Sequence, residues 1–170
     1  GISTYNEGKL RHIQRSTISH NTLTINNKNS SDVWKSFRVG NRALVFDINI
    51  DANIQNEHIY ISAKHNGFAS LFNKINHKRE FILNTNSLEI KDFISGSFLS
   101  STIRYYFHPD VKIIDNKYLD FYGKKLQFEI NGGIFKIIKT RWYPEFGKSV
   151  LNYCLKIDVY ENKSNLKILW

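Results

Sequence analysis

A length of 170 residues with 41% hydrophobic content, much of it Phe and Tyr, fits one domain with a substantial core and excludes a disordered or collagen-like chain. No apolar run approaches the about 20 residues of a membrane-spanning helix, and the single cysteine, Cys154, excludes an internal disulfide. The formal net charge of +9 suits acidic partners such as uronate-bearing or sulphated glycans. It equally suits a solvated basic surface, because the lysines are spread along the chain, and no helix-turn-helix, zinc-finger or RNA-binding motif brings nucleic acid forward.

Residues 1–14 are polar and aperiodic and read as a surface passage leading to Arg11, His12 and Arg15. Thr22 to Ile25 alternates polar and apolar, the period of a half-buried strand, with His20 and Asn21 at its mouth. Turn-forming residues from Asn26 to Asp32 end it, and Trp34 and Phe37 follow as apolar anchors near Arg38 and Arg42. From Arg42 to Ile50 the pattern puts Leu44, Phe46, Ile48 and Ile50 on one face of a second strand, with Asp47 and Asn49 on the other. Asp51 to Glu57 reads as a polar connection. His58 to Lys64 alternates again, and His65-Asn66-Gly67 predicts a turn, since Asn-Gly suits positive φ. Strand character resumes over Phe68 to Phe72, then over Glu80 to Leu83 and Leu88 to Asp92. A strand through Ile103 to Phe107 is stopped by Pro109, which cannot donate to a ladder. Short strands follow at near-regular spacing, with a Trp142 to Gly147 loop before Val150 to Tyr160 and Leu166 to Trp170. Cys154 sits inside one of these strands and reads as a small buried core residue. Many short strands separated by turn signals indicate an all-β antiparallel sandwich with few or no helices.

Gly1, Ser3, Thr4 and Tyr5 are followed by Arg15, Thr17, His20, Asn21 and Thr22, then by Val33, Trp34, Phe37, Arg38 and Val39, then by Arg42 and Ala43. In order and spacing this run resembles the C-terminal β-rich domain of the heparinase II/III-like family of bacterial polysaccharide lyases. That family carries Gly-x-Ser-Thr-Tyr, Arg-x-Thr-x-x-His-Asn-Thr, Val-Trp-x-x-Phe-Arg-Val and Arg-Ala. The likeness is specific over the first third of the chain and looser beyond, where His65, the His77-Lys78-Arg79 run and His108-Pro109 have counterparts. Asn66 stands where the family often has aspartate.

The resemblance implies a supersandwich-like fold and a single domain over residues 1–170 that belongs to a longer chain, following a helical toroid domain and the first strands of the sandwich. It implies β-elimination at a uronate, in which a base removes the proton α to the carboxyl, a second group neutralises that carboxylate, and an acid protonates the leaving oxygen. In the family most of those groups lie in the helical domain, so no catalytic residue is expected among these residues. The histidine equivalent to His20 helps bind a structural zinc there, with a histidine and an aspartate from upstream; zinc is therefore expected in the full-length protein and no cofactor with this chain alone. Arg38 and Arg42 are candidates to hold glycan carboxylates as arginine forks do. His65 matches a family position, and Trp142 and Tyr143 form an aromatic pair suited to stacking on sugars; these five make up the expected substrate-binding set. The implied partners are an acidic polysaccharide and the preceding helical domain, in an exported, periplasmic or extracellular setting. A free-standing carbohydrate-binding module for acidic polysaccharide is the alternative the same residues allow.

Overall fold

The computed structural model describes residues 1–35, 37–53, 55, 57–69 and 75–170. Among these, alternation of branched or aromatic residues with polar ones produces twelve strands: β1 (Leu23–Ile25), β2 (Val45–Asn53), β3 (His58–Phe68), β4 (Ile75–Asn84), β5 (Ser87–Ser95), β6 (Ser101–Tyr106), β7 (Val111–Ile113), β8 (Tyr118–Phe121), β9 (Lys124–Asn131), β10 (Gly133–Trp142), β11 (Val150–Val159) and β12 (Lys163–Leu169). A helix α1 (Lys9–Arg15) and a 3₁₀ turn (Thr17–Ser19) precede them.

The strands form two antiparallel sheets, a narrow one in the order β1-β6-β11-β10 and a wide one in the order β2-β3-β4-β5-β12-β9-β8-β7. The core lies where the narrow sheet faces the middle of the wide one. Leu23, Ile25, Ile103, Leu155 and Ile157 from the first meet Ile90, Ile94, Phe128 and Leu166 from the second. Each such side chain taken out of water contributes about 1.5–3 kcal/mol. Cys154 is fully buried in β11, as its strand context implied.

Five local expectations need correction. The opening passage contains α1, a helix whose burial runs against its hydrophobicity: Leu10 and Ile13 stay in water while Arg11 and Gln14 are buried. The Arg11 guanidinium sits 4.7 Å from the Phe37 ring centre and 5.3 Å from that of Tyr5. Gln14 exchanges two hydrogen bonds with Ser3, accepting from its amide at 3.0 Å and donating to its hydroxyl at 2.8 Å. β1 is buried at all three residues rather than half-buried, because the Thr24 hydroxyl accepts from Arg104 Nη1 at 3.1 Å and so satisfies its polarity inside.

β2 begins later than expected and runs through Asn53, and a bulge between Phe46 and Asn49, with Asp47 at φ 49°, breaks its expected single apolar face. Phe46 pairs with Lys64 on the outer face, whereas Val45 and Ile50 pair with His65 and Ile61 on the inner one. His65-Asn66-Gly67 is not a turn; β3 runs through it with an irregularity in register before Phe68. Gly67 is needed there for closeness, since a Cβ on it would lie 2.5 Å from the Ser30 carbonyl oxygen and 2.9 Å from Ala43 Cβ. Of the strand expected over Phe68 to Phe72, Phe68 ends β3, Ala69 lies in a turn, and the rest falls outside the described residues.

Candidate functional site

On β5, Leu88, Ile90 and Asp92 fall in phase on the inner face, so the alternation that builds the core also carries a carboxylate into it. Asp92 is 1% exposed and accepts four hydrogen bonds. Two come from Arg79 on β4, Nε at 2.7 Å and Nη2 at 3.1 Å. One comes from the Tyr105 hydroxyl on β6 at 2.7 Å, across the gap between the sheets, and one from His77 Nε2 at 2.5 Å.

His77 Nδ1 lies 2.9 Å from His65 Nε2, and His65 Nδ1 lies 3.1 Å from the Gly67 amide nitrogen. An amide only donates, which fixes the whole relay. His65 accepts at Nδ1 and donates from Nε2; His77 accepts at Nδ1 and donates from Nε2 to Asp92. Burial is the largest influence on both imidazoles and keeps them neutral. It lowers His65 from 6.5 to about 4, reinforced by His77 and Arg79, and it lowers His77 despite the opposing pull of Asp92. For Asp92 burial acts upward, yet the His77 hydrogen bond and the Arg79 charge outweigh it and hold the carboxyl at about 2. Burial, then the facing carboxylate, push the Tyr105 hydroxyl well up, so it remains a donor. The result is a buried Asp–Arg ion pair with neutral ligands around it.

This hub sets the mouth of β1. Arg79 Nη1 donates to the Asn21 carbonyl, Asn21 Oδ1 accepts the Tyr106 amide at 2.8 Å, and the Thr22 amide donates to the His20 carbonyl at 2.8 Å. His20 is thereby held at the surface between two hollows. On one side it shares a cleft of about 490 Å³ with Asn21, Tyr106, His108 and Trp142. On the other, a hollow of about 560 Å³ joins it to Arg15 and Arg42. Arg15 donates to the carbonyls of Trp34 at 2.8 Å and Arg38 at 3.2 Å, which pins the loop leading to Arg42. The His108 and Trp142 ring centres are 5.2 Å apart. Partial burial lowers the His20 imidazole, leaving it neutral at pH 7. Tyr106 is pushed up to about 12, chiefly by burial, and donates its proton to the Ile18 carbonyl.

Of the expected site residues, His20 and Arg42 converge on one hollow, and Trp142 stands on the opposite side of His20. Tyr143 lines a smaller adjoining hollow with Trp142. Arg38 offers its carbonyl to Arg15 and is exposed, apart from the residues lining these hollows. His65 lies in the relay behind the mouth, where both of its nitrogens are engaged. Sequence reasoning missed Asp92 and Tyr105. The signal for Asp92 was its phase with Leu88 and Ile90, a charge on an apolar face. Among the described residues no group of three His, Cys, Asp or Glu side chains is placed to hold a metal, so His20 lacks a complete zinc ligand set there. What the two hollows offer is an exposed guanidinium on one side of a neutral imidazole and an indole on the other, groups that bind an anion and stack on a flat surface.

A family model described as heparinase II/III-like, C-terminal, matches residues 1–155. No curated protein matches the sequence significantly. Among solved structures, the heparan sulfate lyase HepC from Pedobacter heparinus is 16% identical with a TM-score of 0.72 over 100% of this chain and 27% of its own. A heparinase III with methylated lysines is 17% identical with a TM-score of 0.69, over 98% of this chain and 26% of its own. The chain thus spans about a quarter of the length of these proteins, and the likeness establishes the shared sandwich fold. No helix of the described residues is long and apolar enough to cross a membrane.

Proposed function

The chain belongs to the heparinase II/III-like C-terminal family, and from that premise we propose that it is the β-sandwich part of a polysaccharide lyase acting by β-elimination on uronate-containing acidic glycans. In this reading it forms one wall of the substrate cleft beside a preceding helical domain, which brings most of the reacting groups. The observation that carries the reading is the convergence of His20 and Arg42 on one hollow. Arg42 holds a glycan carboxylate, and Trp142 stacks on a neighbouring ring. The buried ion pair keeps Asn21, and with it His20, in place as the polysaccharide lies against the wall. A zinc in the longer protein would take His20 as one ligand and its remaining ligands from outside these residues. Alone, the domain holds acidic polysaccharide weakly and does not cleave it.

The test is the ultraviolet absorbance of newly formed unsaturated uronate on heparan sulfate, hyaluronan and alginate, with this chain run beside a longer one that includes its preceding sequence. Heparan sulfate comes first because HepC bears that name. Activity in the longer chain alone is expected. Arg42→Ala in it should raise KM about tenfold or more, the loss of a charge-assisted hydrogen bond of about 1.5–3 kcal/mol. Cleavage by the 170-residue chain overturns the division of labour. A second reading, a non-catalytic module, is favoured by the exposed Trp142 packed on His108; it gains if neither chain cleaves and both retain heparan sulfate.

A further inference from the structure

The face of the narrow sheet turned away from the core carries a row of positive charge. On β10, β11 and β6 the core is built by Phe135 and Ile137, by Leu155 and Ile157, and by Ile103 and Tyr105. Strand alternation therefore sends Lys136, Lys156 and Arg104 outward. Register then lines them up: Lys136 stands opposite Lys156, and Lys156 opposite Arg104. At about 4.8 Å per strand the row spans roughly 10 Å. Like charges directly opposite each other weaken a sheet, so three in succession serve something other than its assembly.

The row is only partly neutralised from within. Asp158, the acid beside it on the same face, takes Lys156 at 2.8 Å and the Thr102 hydroxyl at 2.8 Å. Arg104 donates from Nη1 to Thr24 Oγ1 at 3.1 Å, which leaves Nε and Nη2 for an anion. Among the described residues neither Arg104 nor Lys136 forms an ion pair. Lys136 is exposed, and Lys156 and Arg104 are half-buried.

This face leads into the site already described. Two residues beyond Arg104, a step of about 7 Å along β6, Tyr106 lines the cleft with His20 and Trp142. On β10 and β11 the same face passes from Lys136 and Lys156 through Ile138 and Cys154 to Thr140 and Asn152, which line the hollow beside Trp142 and Tyr143.

We propose that Lys136, Lys156 and Arg104 form a second anchoring station for the polysaccharide that the cleft receives, and that the station selects sulfated chains. A sulfated glycan presents several anions on each disaccharide, which three cations within about 10 Å can meet together. A chain with a single carboxylate per disaccharide engages them one at a time. The Arg104 fork takes one anion on paired N–H groups, while the two lysines act as point charges on its neighbours. The inference rests on the proposed reading of the His20 cleft as a polysaccharide site, and adds to it a substrate class and a place where that class is recognised.

Binding of a heparin octasaccharide to the 170-residue chain at fixed salt, read by calorimetry and by amide shifts in NMR, tests this. Shifts should appear at Arg104, Lys136 and Lys156 as well as around Arg42 and Trp142. Lys136→Gln with Lys156→Gln should weaken binding about fivefold or more. Lys112→Gln with Lys124→Gln removes the same charge towards the far edge of the wide sheet and should weaken it less than about twofold. Should the first pair lose its fold, Lys136→Glu at an exposed position carries the same test. A hyaluronan octasaccharide should bind about tenfold more weakly and ignore the first pair. Equal weakening by the two pairs overturns the proposal, since net charge alone would then explain the binding. So does equal affinity for hyaluronan, or a single-stranded oligonucleotide of matched charge that binds as tightly and loses as much. Lyase activity of the longer chain separates the two readings. Heparin binding that depends on the row, without cleavage, sinks the enzymatic reading and keeps this one; cleavage of heparan sulfate with KM unchanged in Lys136→Gln with Lys156→Gln does the reverse.

Discussion

Asp92 is the residue on which the site's geometry depends, because one carboxylate joins both sheets and, through Arg79, the mouth of β1. Asp92→Asn leaves the Arg79 guanidinium buried without a counter-charge, and the expected loss is about 3–5 kcal/mol by urea denaturation. Tyr105→Phe, which removes one bond to a charged acceptor, should cost less, about 1.5–3 kcal/mol. Acid should act through the same residues in two stages. Unfolded, the histidines titrate near 6.5 and Asp92 near 3.8; folded, all are lowered, His65 to about 4 and Asp92 to about 2. As pH falls the unfolded chain therefore takes up protons first. Stability is whole above 6.5, declines towards 4 through the histidines, and declines again from 3.8 towards 2 through Asp92. His65→Gln should flatten the upper limb of a plot of urea midpoint against pH and leave the lower limb standing. The sequence displayed Asp92 in phase with its apolar neighbours, yet its partners were not legible, since Tyr105 arrives from the other sheet.

Strands with strict alternation and turn formers at both ends, such as β5, β9 and β11, were readable from their period alone. What escaped were the places where a contact distant in sequence overrides local preference. α1 hides because its buried positions are Arg11 and Gln14, and the bend in β3 hides because Asn-Gly is also a turn signal. Gly67 separates the two roles of glycine experimentally. Gly67→Ala drives a methyl into the Ser30 carbonyl and Ala43, with an expected cost of about 1–3 kcal/mol. Gly123→Ala meets no atom within 4 Å and bears only its positive φ of 81°, about 1 kcal/mol. Thermal melts of the two variants should rank in that order.

For the whole molecule, sandwich architecture was legible from strand number and spacing, and the grouping of Arg42 with His20 from a motif; the unequal width of the sheets was not, because no residue announces how many strands will face it. The charge of +9 belongs to this scale too. Retention on heparan sulfate should weaken steeply between 50 and 300 mM salt (roughly a fall in screening length from 14 to 6 Å), while any retention on neutral dextran should not. The pairing of β1 with β6 also has a consequence in time. Leu23 is matched to Ile103, 80 residues further along. At about 5–20 residues per second, a ribosome releases that partner some 4–16 s after Leu23. The hairpins from β2 to β5 close locally and need not wait. During synthesis the β2–β5 part of the wide sheet can therefore assemble while β1, with two core side chains and the mouth of the cleft attached to it, remains an unpaired tail, and the cleft is among the last features of the fold to come into being.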